Sequence, residues 1–168
     1  MNQLKYFTCW CLIILFLSSC QEEIVKVTLL PDSSSIIITP GRRVTLMRFN
    51  LYADTPNNSQ LEQAKFIVKK NNQAKISNCF LIQRQKQMDR NISLPTTISE
   101  DGSLNIEIFL LLLKAQTDIH IDLTCQIEAG SNQAFEFQLT ELVVKSYTGK
   151  YQLLIEGLPL ASQTLHIK

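Results

Sequence analysis

The side chains best able to do chemistry are few. Five cysteines stand at positions 9, 11, 20, 79 and 125, and two histidines at 120 and 166. A structural zinc needs four closely spaced nitrogen or sulfur ligands, and two histidines with scattered thiols do not provide that spacing. Asp118, His120 and Asp122 could be joined on paper to a serine as a hydrolytic triad, but no spacing singles out one serine, and a triad is defined by geometry. No carboxylate pair lies in an apolar surrounding that would raise a pKa. The D-x-[DN]-x-[DN]-G loop of a calcium hand is absent. The row Asp118, Asp122 and Glu128 could reach a calcium ion at one end of a sheet, and Asp101-Gly102 reads as a turn. The expectation is a chain with no catalytic residues, no metal site and no cofactor. GxGxxG and the P-loop are also missing, so an α/β nucleotide-binding domain is excluded.

The thiol with the most definite surroundings is Cys20. Lys5 is the sole charge before an apolar run, YFTCWCLIILFL, from Tyr6 to Leu17. A short cationic start followed by such a run is the layout of a secretory signal, whereas crossing a bilayer takes about 20 apolar residues. Leu17-Ser18-Ser19-Cys20 resembles the lipobox of bacterial lipoproteins, in which a Leu, two small residues and a Cys are read together. The resemblance implies that the Cys20 thiol takes up diacylglycerol and that the peptide bond before it is cut. Acylation of the new amino group would follow; one acyl chain binds a membrane marginally, two or more hold firmly. A plain signal peptide and a retained signal-anchor helix are the alternatives. Gln21, rather than Asp, follows Cys20, which in the Gram-negative sorting pattern implies the outer membrane, and Glu22-Glu23 resembles a short surface-export tag. The expected layout is a signal peptide at 1–19, a lipidated tether at 20–23 and one domain at 24–168. It would be held at the bacterial cell envelope, facing the periplasm or the cell surface.

Removing residues 1–19 of 168 leaves 149, a normal size for one domain with its own core. Lys5, Cys9, Trp10 and Cys11 leave with them, so 15 basic residues balance 15 acidic ones. That balance excludes nucleic acid, whose binders carry a basic footprint. Cys79 and Cys125 remain as a disulfide candidate in a compartment that permits one. Closing that loop is worth about 4 kcal/mol in the chain-entropy model; two buried free thiols are the alternative. Charge is segregated along the chain. Lys65, Lys69, Lys70, Lys75, Arg84, Lys86 and Arg90 form a basic stretch holding one acid, Asp89, while residues 99–141 hold eight acids and one Lys. Either the first stretch is a basic hairpin facing anionic lipid, lipopolysaccharide or an acidic partner, or the two stretches neutralise each other as neighbouring strands.

Period-two alternation runs along nearly the whole chain after Cys20. In DIHIDLTCQIE, Ile119, Ile121, Leu123, Cys125 and Ile127 share one face, and His120, Asp122, Thr124, Gln126 and Glu128 the wet one. AFEFQLTELVV places Phe135, Phe137 and Leu139 inward. EIVKVTLL, RVTLMRFNLY, KYQLLIEG and QTLHIK supply further strands, and Pro and Gly fall between the runs. Two stretches stay open. Ser59 to Glu62 fits a capping box and a helix over Leu61–Lys70, while AKFIVKKNNQAKIS reads as a hairpin turning at Asn71-Asn72. IEIFLLLLKA reads as a central strand covered on both faces, a helix, or a strand whose outer face meets a partner.

Eight to ten such strands give an all-β fold, a β-sandwich. RVTLMRFNLYAD, AKISNCFLI, LLLLKAQTDIHIDLTCQIEAG and GLPLASQTLHIK resemble, in order and spacing, the immunoglobulin-like sandwich repeated in bacterial cell-envelope and surface-layer proteins. The resemblance spans roughly Val25 to Lys168, departs from antibody-type domains in lacking a Trp after Cys20, and carries over no site residue. It implies a scaffold or adhesive module. The size and layout also resemble small sandwich lipoproteins of the type VI secretion apparatus. The functional expectation is a lipid-anchored, non-enzymatic module that binds another envelope or surface protein. A small-molecule or glycan-binding lipoprotein is the alternative, weakened by the scarcity of aromatic platforms. The chain is expected to fractionate with membranes, with globomycin blocking its processing and Cys20→Ala releasing it; unchanged fractionation of that variant would remove the anchor.

Overall fold

Alternating strands with turn residues between them close into two packed sheets. The computed structural model describes residues 23–31, 37–38, 40–70, 75–86, 88–129, 133–146 and 153–167, all of them strand or connecting turn. The strands are β1 Ile24–Leu29, β2 Ile37–Ile38, β3 Arg43–Asp54, β4 Ser59–Lys70, β5 Lys75–Arg84 and β6 Arg90–Asn91. They continue with β7 Ser103–Leu113, β8 Asp118–Ala129, β9 Gln133–Ser146, β10 Leu154–Glu156, β11 Leu160–Ala161 and β12 Leu165–Ile167. Sheet A has the order β10-β1-β3-β8-β5-β6; sheet B has the order β2-β12-β9-β4-β7, with β11 also paired to β9. The fold is the expected all-β sandwich, with twelve strands among the described residues because several are only two or three residues long.

The inner faces meet the expectation from alternation. Ile119, Ile121, Leu123, Cys125 and Ile127 of β8 are buried, as are Phe135, Phe137 and Leu139 of β9. Phe49 of sheet A meets Phe66 of sheet B with ring centroids 6.4 Å apart. A buried aromatic pair of this kind adds to the area-proportional hydrophobic term. Gly157, at φ +96°, lies so close to β1 that a Cβ there would fall 2.1 Å from the Val27 carbonyl oxygen. Only glycine fits both constraints.

Both open stretches resolve as strands. Residues 59–70 form β4, not a helix. Yet β4 and β5 do not pair as a hairpin: β4 lies between β9 and β7 in sheet B, and β5 lies beside β8 in sheet A. The intervening Asn71-Asn72 falls outside the described residues. IEIFLLLLKA is neither helix nor doubly covered strand. It forms most of β7, the margin of sheet B, and it contains a slip in phase. Leu104, Ile106 and Ile108 face inward, then Leu111 and Leu113, an odd step where the pairing with β4 jumps from Glu107 to Leu111. A bulge flips every later side chain to the other face. An unbroken apolar run is what such a slip looks like in sequence.

The connection from β6 to β7 laces the two sheets along this side. The Ile92 amide donates to the Leu81 carbonyl at 3.0 Å, and the Phe109 amide donates to the Ile92 carbonyl at 2.8 Å. Cys79 and Thr96 exchange two backbone bonds, each 2.8 Å. Beyond them, the turn before β7 is held by Asp101, whose carboxylate accepts the Ser103 hydroxyl at 2.7 Å and the Ser103 amide at 2.9 Å. The Ser103 hydroxyl, then its amide, lowers the Asp101 pKa. Its small contribution is present above the ordinary carboxylate range and lost as pH falls through the depressed folded value.

Cys79 and Cys125 form a disulfide. It joins neighbouring strands of one sheet rather than the two sheets. A bulge in β5 between Ser77 and Phe80, with Asn78 at φ +48°, turns Cys79 inward to meet Cys125. Both cysteines are fully buried.

One expectation for β8 is corrected. Asp122 and Thr124, assigned to the wet face, are buried. Arg48 of β3 and Arg84 of β5 close over Asp122 from both sides: Arg48 Nε is 3.3 Å and Arg84 Nε 2.8 Å from Asp122 Oδ2. Arg84 also binds Asp89, and the Asp122 hydrogen bond is the main cause that raises the Arg84 pKa. Thr124 is covered by Thr45, 3.5 Å away. Asp118 accepts from Asn50, and Glu128 from Ser77, so the carboxylate row read as a calcium possibility is committed to protein donors.

Two stability measurements follow. Replacing both cysteines, Cys79→Ser with Cys125→Ser, should cost about 2–4 kcal/mol in urea unfolding, with reduced wild type falling to the same value. Removing one member of a buried pair costs about 3–5 kcal/mol. The guanidinium groups are half-exposed, with side-chain exposures of 42% for Arg48 and 39% for Arg84, and rehydrate. Asp122→Ala should therefore cost about 2 kcal/mol, and a loss within error would deny the carboxylate any structural role.

Candidate functional site

The outer face of sheet A carries cross-strand polar pairs around β8, from Asn50–Asp118 through Arg48–Asp122 to Ser77–Glu128. Sheet B differs. Along β4, Lys69 pairs with Glu136 at 3.8 Å, and Glu62 pairs with Lys145 at 2.7 Å. Between these two pairs lies a row of direct register partners, Asn105 of β7, Lys65 of β4 and Glu141 of β9. Bulges on both sides, at Leu61/Gln63 and at Lys65/Phe66, bend the sheet there, and Thr140 Oγ1 donates to the Lys65 carbonyl at 3.2 Å. The result is a shallow groove of about 200 Å³ lined by Gln63, Lys65, Asn105, Glu141 and Val143. No ion pair joins Lys65 to Glu141 among the described residues. Pockets for drug-sized ligands run from about 300 Å³ upward, so this groove accommodates only a small polar group.

The margin of the same sheet is apolar on its outside. Phe109 is 47% exposed and Leu112 38% on β7, and Leu94, beside the same margin, is 64% exposed. Phe109 continues the outward phase of Asn105 and Glu107, whereas Leu112 faces out because the slip sends Leu111 and Leu113 inward. Exposed apolar side chains grouped at the edge of a sheet leave apolar area in water that covering would remove.

The seven basic candidates do not share one face. Lys65 and Lys69 stand on the outer face of sheet B; Lys70 closes β4. Lys75 opens β5 in sheet A, and Arg84 ends it, bound to Asp122 and Asp89. Lys86 and Arg90 are exposed beyond Arg84, with no ion pair among the described residues. Cross-strand neutralisation accounts for Lys69 and Arg84. His120 and His166 are exposed. Among the described residues, no group of three or more His, Cys, Asp or Glu could hold a metal ion, and no helix is long and apolar enough to cross a membrane. Cys20 lies outside the described residues. Sequence reasoning missed the groove partners Gln63, Asn105 and Glu141, and the exposure of Phe109 and Leu112. The groove partners and Leu112 depend on where bulges shift the register, a signal one sequence does not carry; Phe109 is exposed because β7 is the sheet margin.

No family model and no curated protein matches this chain. Among solved structures it is similar to the cohesin module from Clostridium perfringens ATCC13124 family 33 glycoside hydrolase, at 14% identity over 87% of this chain and 98% of that one, with a TM-score of 0.40. It is also similar to a DUF4466 family protein from Parabacteroides merdae ATCC 43184, at 10% identity over 79% of this chain and 46% of that one, with a TM-score of 0.36. The Reelin-N domain of F-spondin matches at 12% identity over 94% and 98%, with a TM-score of 0.29. Identities and scores of this size transfer no residue role to this chain. Its own strands establish an all-β sandwich module.

Proposed function

We propose that this protein is a lipid-anchored lipoprotein of the bacterial envelope, held by Cys20 at the outer membrane, whose sandwich is a non-enzymatic binding or structural module for another envelope or surface protein. The lipobox-like residues 17–20 support the anchor. The observation that carries the binding role is the exposed pair Phe109 and Leu112 on β7, the margin of sheet B. Apolar side chains in such a place gain from being covered, at about 25 cal/mol per Å² removed from water.

The groove at Lys65 and Glu141 supports a second reading, a small-molecule or glycan binder, because its opposite charges and two amides are left without partners among themselves. One experiment separates the two. Site-specific photo-crosslinking from position 112 in cells should capture a defined envelope protein, and Phe109→Asp with Leu112→Asp should abolish an affinity-purified complex with it while urea stability shifts by about 0.5 kcal/mol or less. If the complex survives that variant, β7 is not the surface. If ligands instead raise the melting temperature of wild type but not of Glu141→Gln, the groove reading takes over.

A further inference from the structure

One end of the sandwich gathers the start of the folded body and a set of exposed apolar and basic side chains. Glu23, read from the sequence as the last residue of the lipidated tether at 20–23, is buried at 4% exposure. Its carboxylate accepts from Asn57 Nδ2 at 3.3 Å, and its carbonyl accepts the Leu154 amide at 3.1 Å. Glu23 is therefore part of the folded body, and in sequence only Gln21 and Glu22 lie between it and Cys20. Three residue steps reach about 11 Å at full extension.

At this end Asn58 Oδ1 accepts the Ala115 amide at 3.3 Å, and the Gln116 amide donates to the Ala53 carbonyl at 2.8 Å, tying the two turns of the end together. Leu154, the register partner of Ile24, is 50% exposed beside the entry point. Strand β5 runs toward the same end, and past Arg84 the chain turns there, with Lys86 exposed and Met88 76% exposed. Arg90 and Lys114 are also exposed at this end. With strands about 4.8 Å apart, β5 lies about 14 Å from β1 across the sheet. The nearby acids are largely committed: Asp54 to Lys26, Asp89 to Arg84, and Asp118 to Asn50. Glu156 is exposed on β10, away from the β5 side.

We infer that this end docks on anionic lipid headgroups, with Met88 and Leu154 entering the interface and Lys86, Arg90 and Lys114 facing phosphates. The inference rests on the lipid anchor at Cys20. A spacer this short holds the end within reach of the bilayer, where each cation near an anionic surface adds attraction and an exposed apolar side chain gains from partial insertion. The sandwich then stands on end, and the turn at Ser99–Gly102, an 11-residue strand away, lies about 35 Å farther from the surface.

The test uses full-length lipidated protein in phosphatidylethanolamine–phosphatidylglycerol vesicles carrying brominated lipid. Fluorophores are attached at Met88→Cys or at Glu100→Cys, and pelleting is measured alongside. The expected result is pelleting of both, with quenching several-fold stronger at position 88 and falling to the level at position 100 when Lys86→Glu and Arg90→Glu are added. Pelleted protein quenched equally at both positions overturns the docking while leaving the anchor intact. Quenching at 88 that ignores the charge reversals overturns the role given to Lys86 and Arg90. Protein that stays in the supernatant denies the anchor, and the docking with it.

Discussion

The structure depends on one strand keeping its phase. From Ile119 to Ile127, β8 alternates without a slip, and its five apolar residues all face the core. Its neighbours cannot match it residue for residue over such a length. β3 inserts an extra residue between Thr45 and Met47, and β5 inserts one between Ser77 and Phe80. A strand with one buried face tolerates no shift by a single residue, so the irregularity is absorbed by the flanking strands as bulges. The disulfide sits at one of them, because the bulge at Asn78 turns Cys79 toward Cys125.

The same constraint shapes the outer faces. The register brings Arg48 opposite Asp122 and Arg84 diagonal to it, and two guanidinium groups from different strands meet one carboxylate. Such an arrangement favours this register over its neighbours, since a shift by one residue would bury Asp122 unpaired at a cost of several kcal/mol. Sheet B has no counterpart to this closed ladder. Its strands β4, β7 and β9 all slip; Lys65 and Glu141 face each other across the groove without an ion pair between them among the described residues, and Phe109 and Leu112 are exposed at the margin. Surfaces available to other molecules arise where the ladder is interrupted.

This explains what was legible in the sequence. Strand identity and core faces were readable in β8 and in the first half of β9, because period two persists there and turn residues bound each run. The run from Phe109 to Leu113 stayed open because a change of phase and coverage on both faces produce the same string of apolar residues. The hairpin at Asn71-Asn72 failed for a different reason. Local signals announce that the chain turns, but whether it turns within a sheet or crosses to the other depends on which strands are already taken, and β8 and β9 outcompete the nearer neighbour. Asp122 was misplaced because burial on an outer face comes from side chains of other strands, Arg48 and Arg84, which are distant in sequence.

The basic stretch from Lys65 to Arg90 illustrates how topology converts a linear feature into something else. A hairpin would have kept its seven charges together. Because β4 and β5 belong to different sheets, the stretch divides: Lys65 and Lys69 go to sheet B, and Arg84 goes to Asp122. Lys86 and Arg90 lie past the end of β5, where no acid pairs with them among the described residues. Charge on a strand can be met by the adjacent strand at a spacing of about 5 Å, as Lys69 is by Glu136 and Arg84 by Asp122. Lys86, in the turn, and Arg90, at the start of the two-residue edge strand β6 opposite Gln83, have no charged neighbour at that spacing among the described residues. Residues near in sequence were separated by the fold, while Glu23, Asn57, Met88, Lys114 and Leu154, far apart in sequence, are gathered at one end. A surface for a membrane or a partner therefore has to be sought in such gatherings, at strand ends and bulges, rather than in runs of like residues along the chain.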